Sequence, residues 1–97
     1  MNGRRNFLIT YDISDDKRRT RIFELLSGAG DWAQFSVFFC ELNPGELALL
    51  RTEVREVINH REDQVMILDL GRATSPLERD LEVLGRAYQM PTRIVVV

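Results

Sequence analysis

The order of elements legible in this chain predicts an α+β fold, two helices on an antiparallel sheet, and three observations carry the prediction. Residues 5–12 alternate as a half-buried strand does, with Phe7, Ile9 and Tyr11 on one face and Leu8, Thr10 and Asp12 on the other. The chain then switches to helical spacing, with Ile22, Leu25, Leu26 and Ala29 on one stripe, and switches again at Leu47, Leu50, Val54, Val57 and Ile58. Strand-like stretches at residues 31–42 and 63–70 stand between and after the two helices.

Each junction has its own signal. Ser14 or Asp15 suits the N-cap of the first helix. That helix is expected to stop between Ser27 and Gly30, where two glycines offer the left-handed conformation of a C-terminal cap. The stretch DWAQFSVFFCEL exceeds the ~5–6 residues of a typical strand, which predicts a bend or bulge near Gln34–Ser36 and two consecutive strands. Asn43, Pro44 and Glu46 occupy N-cap, first and third helical positions, and the second helix is expected to run to about Asn59. Val65, Met66, Ile67 and Leu68 are apolar on both faces, which predicts a central strand. Ser75, Pro76 and Glu78 read as a capping box for a short helix carrying Leu77, Leu81 and Leu84, closed by Gly85. The chain ends in Thr92–Val97, an extended tail apolar on both faces that needs a covering neighbour. The sum is one domain over residues 1–97, a ferredoxin-like βαββαβ sandwich plus an extra C-terminal strand. Residues 72–97 form an extension expected to contribute to a homodimer.

A chain of 97 residues, 44% hydrophobic and 29% charged, supports one core. No apolar run approaches the ~20 residues needed to span a bilayer, and MNGRR lacks the apolar region of a signal peptide. With Cys40 as the single cysteine, a cytoplasmic, reduced protein without membrane association is expected. A net charge of -2 argues against a uniformly basic surface but leaves room for basic patches at Arg4–Arg5 and Lys17–Arg21. The plain reading of those patches as solvated surface charge stands beside the nucleic-acid reading.

Chemistry points to the strand–helix joint. Asp12, Asp15 and Asp16 meet Lys17, Arg18, Arg19 and Arg21 there, a setting for a metal, a phosphate or both. Asp12 is the sharpest candidate, because a carboxylate ending a buried strand is rigidly held; the alternative is a second helix cap. One carboxylate makes a poor magnesium site alone, so a two-fold axis bringing a second Asp12 alongside would be needed. His60, the only histidine, argues against a triad and suits the end of the second helix. Cys40 lacks zinc partners, and no phosphate loop or G-x-G-x-x-G occurs. Alternation along the strands sends at least two of Trp32, Phe35, Phe38 and Phe39 to the core. The RNA-recognition strand consensus is not matched, so base stacking by these residues is not expected.

The run Tyr11-Asp12-Ile13-Ser14-Asp15-Asp16, continuing through Arg19 and Arg21, and then Gln34-Phe35-Ser36-Val37-Phe38, resembles the second CRISPR-associated protein family. These are small spacer-acquisition subunits also described as CRISPR-associated endoribonucleases, and the resemblance covers nearly the whole chain. It implies a ferredoxin-like homodimer with a magnesium-binding aspartate near the interface, matched by Asp12, and metal-dependent cutting of RNA or double-stranded DNA. By the same resemblance Arg19 and Arg21 match basic, nucleic-acid-binding helix positions, while Tyr11, Ser36 and Phe38 match motif positions. Trp32 departs from the pattern, since relatives often carry a basic residue there. The implied partners are a second copy, a CRISPR integrase subunit, and DNA or RNA. A non-catalytic scaffold for the integrase is the rival reading, and a small-metabolite regulatory module has no supporting motif.

Overall fold

In the computed structural model, which describes residues 3–74 and 77–87, the chain runs β1 (Arg5–Asp12), α1 (Asp16–Ala29), β2 (Asp31–Gln34), β3 (Val37–Leu42), α2 (Pro44–Val57) and β4 (Gln64–Arg72). The four strands form one sheet in the order β2-β3-β1-β4, with every neighbouring pair antiparallel. Both helices lie on one face, where Phe7, Ile9, Phe38, Cys40 and Leu42 of the sheet meet Ile22, Leu26, Leu47, Leu50 and Val54. Phe38 is fully buried at the centre, edge-to-face with Phe23 at 5.4 Å between ring centroids and stacked with Tyr11 at 6.5 Å.

Both N-caps form as their residue types dictate. The Asp15 carboxylate accepts the Arg18 backbone N–H at 2.9 Å. Asn43 and Glu46 make a reciprocal capping box, with bonds of 2.8 and 2.9 Å, behind Pro44 at the first helical position. The expected bend lies between β2 and β3, a tight turn with Phe35 at its apex. His60 closes α2, its Nε2 at 3.0 Å from the Arg55 carbonyl oxygen. Burial pushes the Cys40 thiol up to about 11, with Asp31 adding to it, so this cysteine is an inert core residue.

Four expectations need correction. Gly30 caps α1 in an extended conformation (φ -168), and neither Gly28 nor Gly30 is left-handed. Space explains Gly30: a Cβ there would press on the Phe39 carbonyl oxygen and lie 2.8 Å from the Cys40 Cα. Among the described residues β4 is an edge strand of the sheet and not a central one, and Met66, Leu68 and Leu70 are left exposed on it. Its two-sided apolar pattern reflects an open sheet face. In place of the short helix there is one 3-10 turn, Leu77–Arg79, although Gly85 does take a positive φ of 91. Ser75 and Pro76 of the expected capping box, and the expected C-terminal strand Thr92–Val97, lie outside the described residues. The exposed aromatics also exceed expectation: among Trp32, Phe35, Phe38 and Phe39 only Phe38 is fully buried.

Candidate functional site

β1 delivers Tyr11 and Asp12 to the rim of the sheet, and buried Ile13 anchors the turn into α1. Alternation then separates the two side chains. Tyr11 packs on the helix side, while Asp12 is exposed on the open side, paired in register with Gln64 of β4. Among the described residues the Asp12 carboxylate makes no hydrogen bond or ion pair, so it is not acting as the helix cap. Asp15 does that.

The cations of α1 divide into three kinds. Arg18 is structural. Its Nε and Nη2 donate to Asp63 at 2.7 and 3.2 Å, and the Asp63 side chain has no accessible surface. The Asn59 backbone N–H adds a 2.8 Å bond to the same carboxylate. Arg18, followed by that backbone bond, holds the Asp63 carboxyl below the ordinary range near 4. Asp63 therefore contributes stability above that ordinary value, and the contribution is lost as pH falls through its lowered folded value. Arg18→Met should destabilise most at neutral pH, with its melting difference from wild type shrinking toward pH 3; a difference that widens in acid would refute this role. Arg19 is half committed: Nη1 bonds the Ile13 and Ser14 carbonyls at 3.1 Å each, and Nη2 pairs with Asp16. Lys17 and Arg21 are exposed, with no ion pair among the described residues.

The other basic patch is not free. Arg4 bonds Glu41 and Glu46 at 2.7 and 3.0 Å, and Arg5 bonds Asp69 at 2.9 Å, all at the far end of β1 from Asp12. Those arginines brace strands and helix, as the plain reading of surface charge anticipated.

Of the residues singled out by sequence, Tyr11, Arg19 and Ser36 come together, lining a cleft between α1 and the β2–β3 turn. Asp12 and Arg21 lie outside that cleft, and no ion pair links Asp12 to Arg19 or Arg21. Phe38 supports the site from beneath as core. The cleft also uses Thr20, Phe23 and Phe35, which sequence reasoning did not assign to a site. The available signal was the predicted bend itself, since an aromatic at a turn apex cannot share the alternating burial of a strand.

Among the described residues no three histidine, cysteine or carboxylate groups are placed to hold a metal ion, and no helix is long and apolar enough to cross a membrane. Asp12 alone offers an unengaged carboxylate at a rigid strand end. That fits magnesium's habit of taking one or two carboxylates and completing its shell with water and phosphate, and it fits a dedicated protein cage poorly.

Residues 5–75, from the start of β1 to just past β4, match the model of the family described as CRISPR associated protein Cas2. A CRISPR-associated endoribonuclease Cas2 from Geobacter sulfurreducens is 33% identical over 91 residues, covering 94% of this chain and 95% of the relative. A CRISPR-associated endonuclease Cas2 from Thermus thermophilus is 35% identical over 83 residues, covering 86% and 84%. Among solved structures, a hypothetical protein from Thermus thermophilus superposes with a TM-score of 0.76 at 34% identity, covering 92% of this chain and 99% of that one. Streptococcus pyogenes Cas2 gives 0.72 at 27% identity, covering 82% and 99%. With a family match across the whole sheet and relatives of this identity along nearly the full chain, this protein belongs to the CRISPR-associated Cas2 family.

Proposed function

We propose that the chain is a CRISPR adaptation protein that works as a ferredoxin-like homodimer and cleaves phosphodiester bonds of RNA or duplex DNA with magnesium held at Asp12. One observation carries this reading: Asp12 is exposed and unengaged at the end of an inner strand, on the sheet face that no helix covers. That face also presents Met66, Leu68 and Leu70, exposed to 54%, 57% and 42%, beside half-buried Leu8, Val37 and Phe39. A contiguous apolar surface of this kind calls for a partner, and a second copy is the simplest one. Sheet against sheet, two copies would bring two Asp12 carboxylates to one axis and supply the second ligand that one chain lacks.

When bound, magnesium makes an attacking water more acidic and offsets charge on the scissile phosphate. Asp12 holds the ion, and its strand fixes the carboxylate's position. Arg21 and the uncommitted N–H groups of Arg19 attract the nucleic-acid backbone toward the α1 face.

A test of the dimer is Leu68→Glu, which places a charge in the middle of the open face without touching the helix-side core. Sedimentation should show wild type as a dimer and the variant as a folded monomer whose magnesium-dependent cleavage is lost. A monomeric wild-type protein that cuts with undiminished activity would remove the shared site. The scaffold reading, in which the dimer holds nucleic acid and a CRISPR integrase subunit without cutting, is supported by the exposed Lys17 and Arg21 of α1, which can attract a nucleic-acid backbone without any metal. It predicts duplex binding with no cleavage at any magnesium concentration.

A further inference from the structure

The cleft between α1 and the β2–β3 turn contains features that folding does not require. It is shallow and open, about 440 Å³ in volume, and lined by Tyr11, Arg19, Thr20, Phe23, Phe35 and Ser36. That volume lies within the range of about 300–1,000 Å³ typical of small-molecule sites. Phe35 is 88% exposed and sits at φ 40, a left-handed conformation that glycine or asparagine adopts at far lower cost. Its carbonyl accepts the Trp32 indole N–H at 2.8 Å, and Trp32 is itself 52% exposed. One large aromatic is thus spent on fixing the turn that presents another to solvent.

Polar groups in the cleft are unspent as well. The hydroxyls of Tyr11, Thr20 and Ser36 have no hydrogen-bond partner among the described residues, and none of them is sealed from solvent. Burial pushes the Tyr11 phenol up, against an opposing pull from Arg19, so it stays a protonated donor at neutral pH. Arg19 keeps its Nε–H and one Nη2–H beyond the bonds it makes to Ile13, Ser14 and Asp16.

An exposed π-face, a cation and three free hydroxyls in one nucleotide-sized cleft match the three parts of a nucleotide. We propose that this cleft takes a single unpaired nucleotide of a nucleic-acid strand, its base stacked on Phe35 and its phosphate bonded by Arg19 and the neighbouring hydroxyls. The inference rests on the nucleic-acid reading above and adds what that reading lacks, a preference for strands with an unpaired end over blunt duplexes. An internal paired base keeps both faces inside the helical stack, and the last pair of a blunt end is held to its partner and cannot be drawn singly into the cleft. Stacking tolerates any base, so the preference is for structure and not for sequence.

The test compares blunt duplexes with duplexes carrying a short single-stranded overhang that holds a fluorescent purine analogue, titrated with wild-type protein in magnesium-free buffer. Overhangs should bind about 5- to 150-fold tighter than blunt ends, the range that one stacked base supplies, with the analogue's fluorescence quenched. Phe35→Ala should abolish both the preference and the quenching while blunt-duplex affinity stays put, and Phe35→Trp should restore them. Equal binding of both substrates by wild type, or an intact preference in Phe35→Ala, overturns the proposal and leaves the nucleic-acid reading standing. Wild type that binds neither substrate overturns both. Ribose and deoxyribose overhangs separate RNA from DNA as the source of the nucleotide. A change of oligomeric state in Phe35→Ala would mark the cleft as a contact between copies and also overturn the proposal.

Discussion

Asp12→Asn should lower the proposed magnesium-dependent cleavage by about 100-fold or more while the melting temperature stays within about a degree of wild type. The activity loss should exceed the roughly 10–100-fold that removal of an outer-shell partner costs, because the only unengaged carboxylate at the strand end is gone. Stability is spared because the side chain is exposed and bonds nothing among the described residues. Substitutions of this kind usually fall within about 0.5 kcal/mol. The measurement is cleavage of RNA and duplex DNA by highly purified protein, with and without magnesium, alongside the variant. Undiminished cutting by the variant would place the chemistry elsewhere.

Gly30→Ala should produce the largest loss of stability, about 3 kcal/mol, or roughly 12–24 °C in melting temperature for a domain this size. The backbone angle is not the obstacle, since φ -168 is open to any residue. The obstacle is the sheet: a Cβ would lie 2.5 Å from the Cys40 Sγ and 2.8 Å from the Cys40 Cα, and also press on the Phe39 carbonyl oxygen. Those backbone atoms belong to β3, which is bonded to β1 on one side and β2 on the other, so they cannot retreat. Gly28→Ala is the matched control. It adds the same methyl within α1 with nothing inside 4 Å, and it should raise stability by about 0.5–1 kcal/mol through helix propensity. Equal effects at the two positions would refute the steric account.

Local signals made most of the architecture legible. Asp15 and the Asn43–Glu46 box mark helix starts through short-range chemistry, and the period-two pattern of Phe7, Ile9 and Tyr11 fixes the core face of β1. What misled was non-local. A strand apolar on both faces looks the same whether a sheet or a second molecule covers it, so its pattern points to the centre although, among the described residues, β4 stands at an edge. The glycines at the end of α1 were assigned to a torsion, whereas Gly30 answers to a neighbouring strand that sequence spacing cannot place. The same holds for the site. Tyr11, Arg19 and Ser36 were marked by motif, but their meeting in one cleft, and the removal of Arg18 to a buried pair with Asp63, depend on contacts tens of residues apart.

The strand order also has a temporal meaning. β1 is made before the other three strands, yet it lies between β3 and β4, with Ile9 opposite Phe38 and Ile67. Its apolar face cannot be paired on both sides until synthesis has passed Arg72, and closing the loop to β4 is the more costly of its two closures. The β2–β3 hairpin, pinned by the Trp32 indole, needs only adjacent residues and can form early as a platform. A nascent chain whose emerged part ends between α2 and β4 would hold β1 against β3 with its other edge bare, ready to pair with any extended segment nearby. Emergence of β4 is therefore the step that closes the open edge of β1.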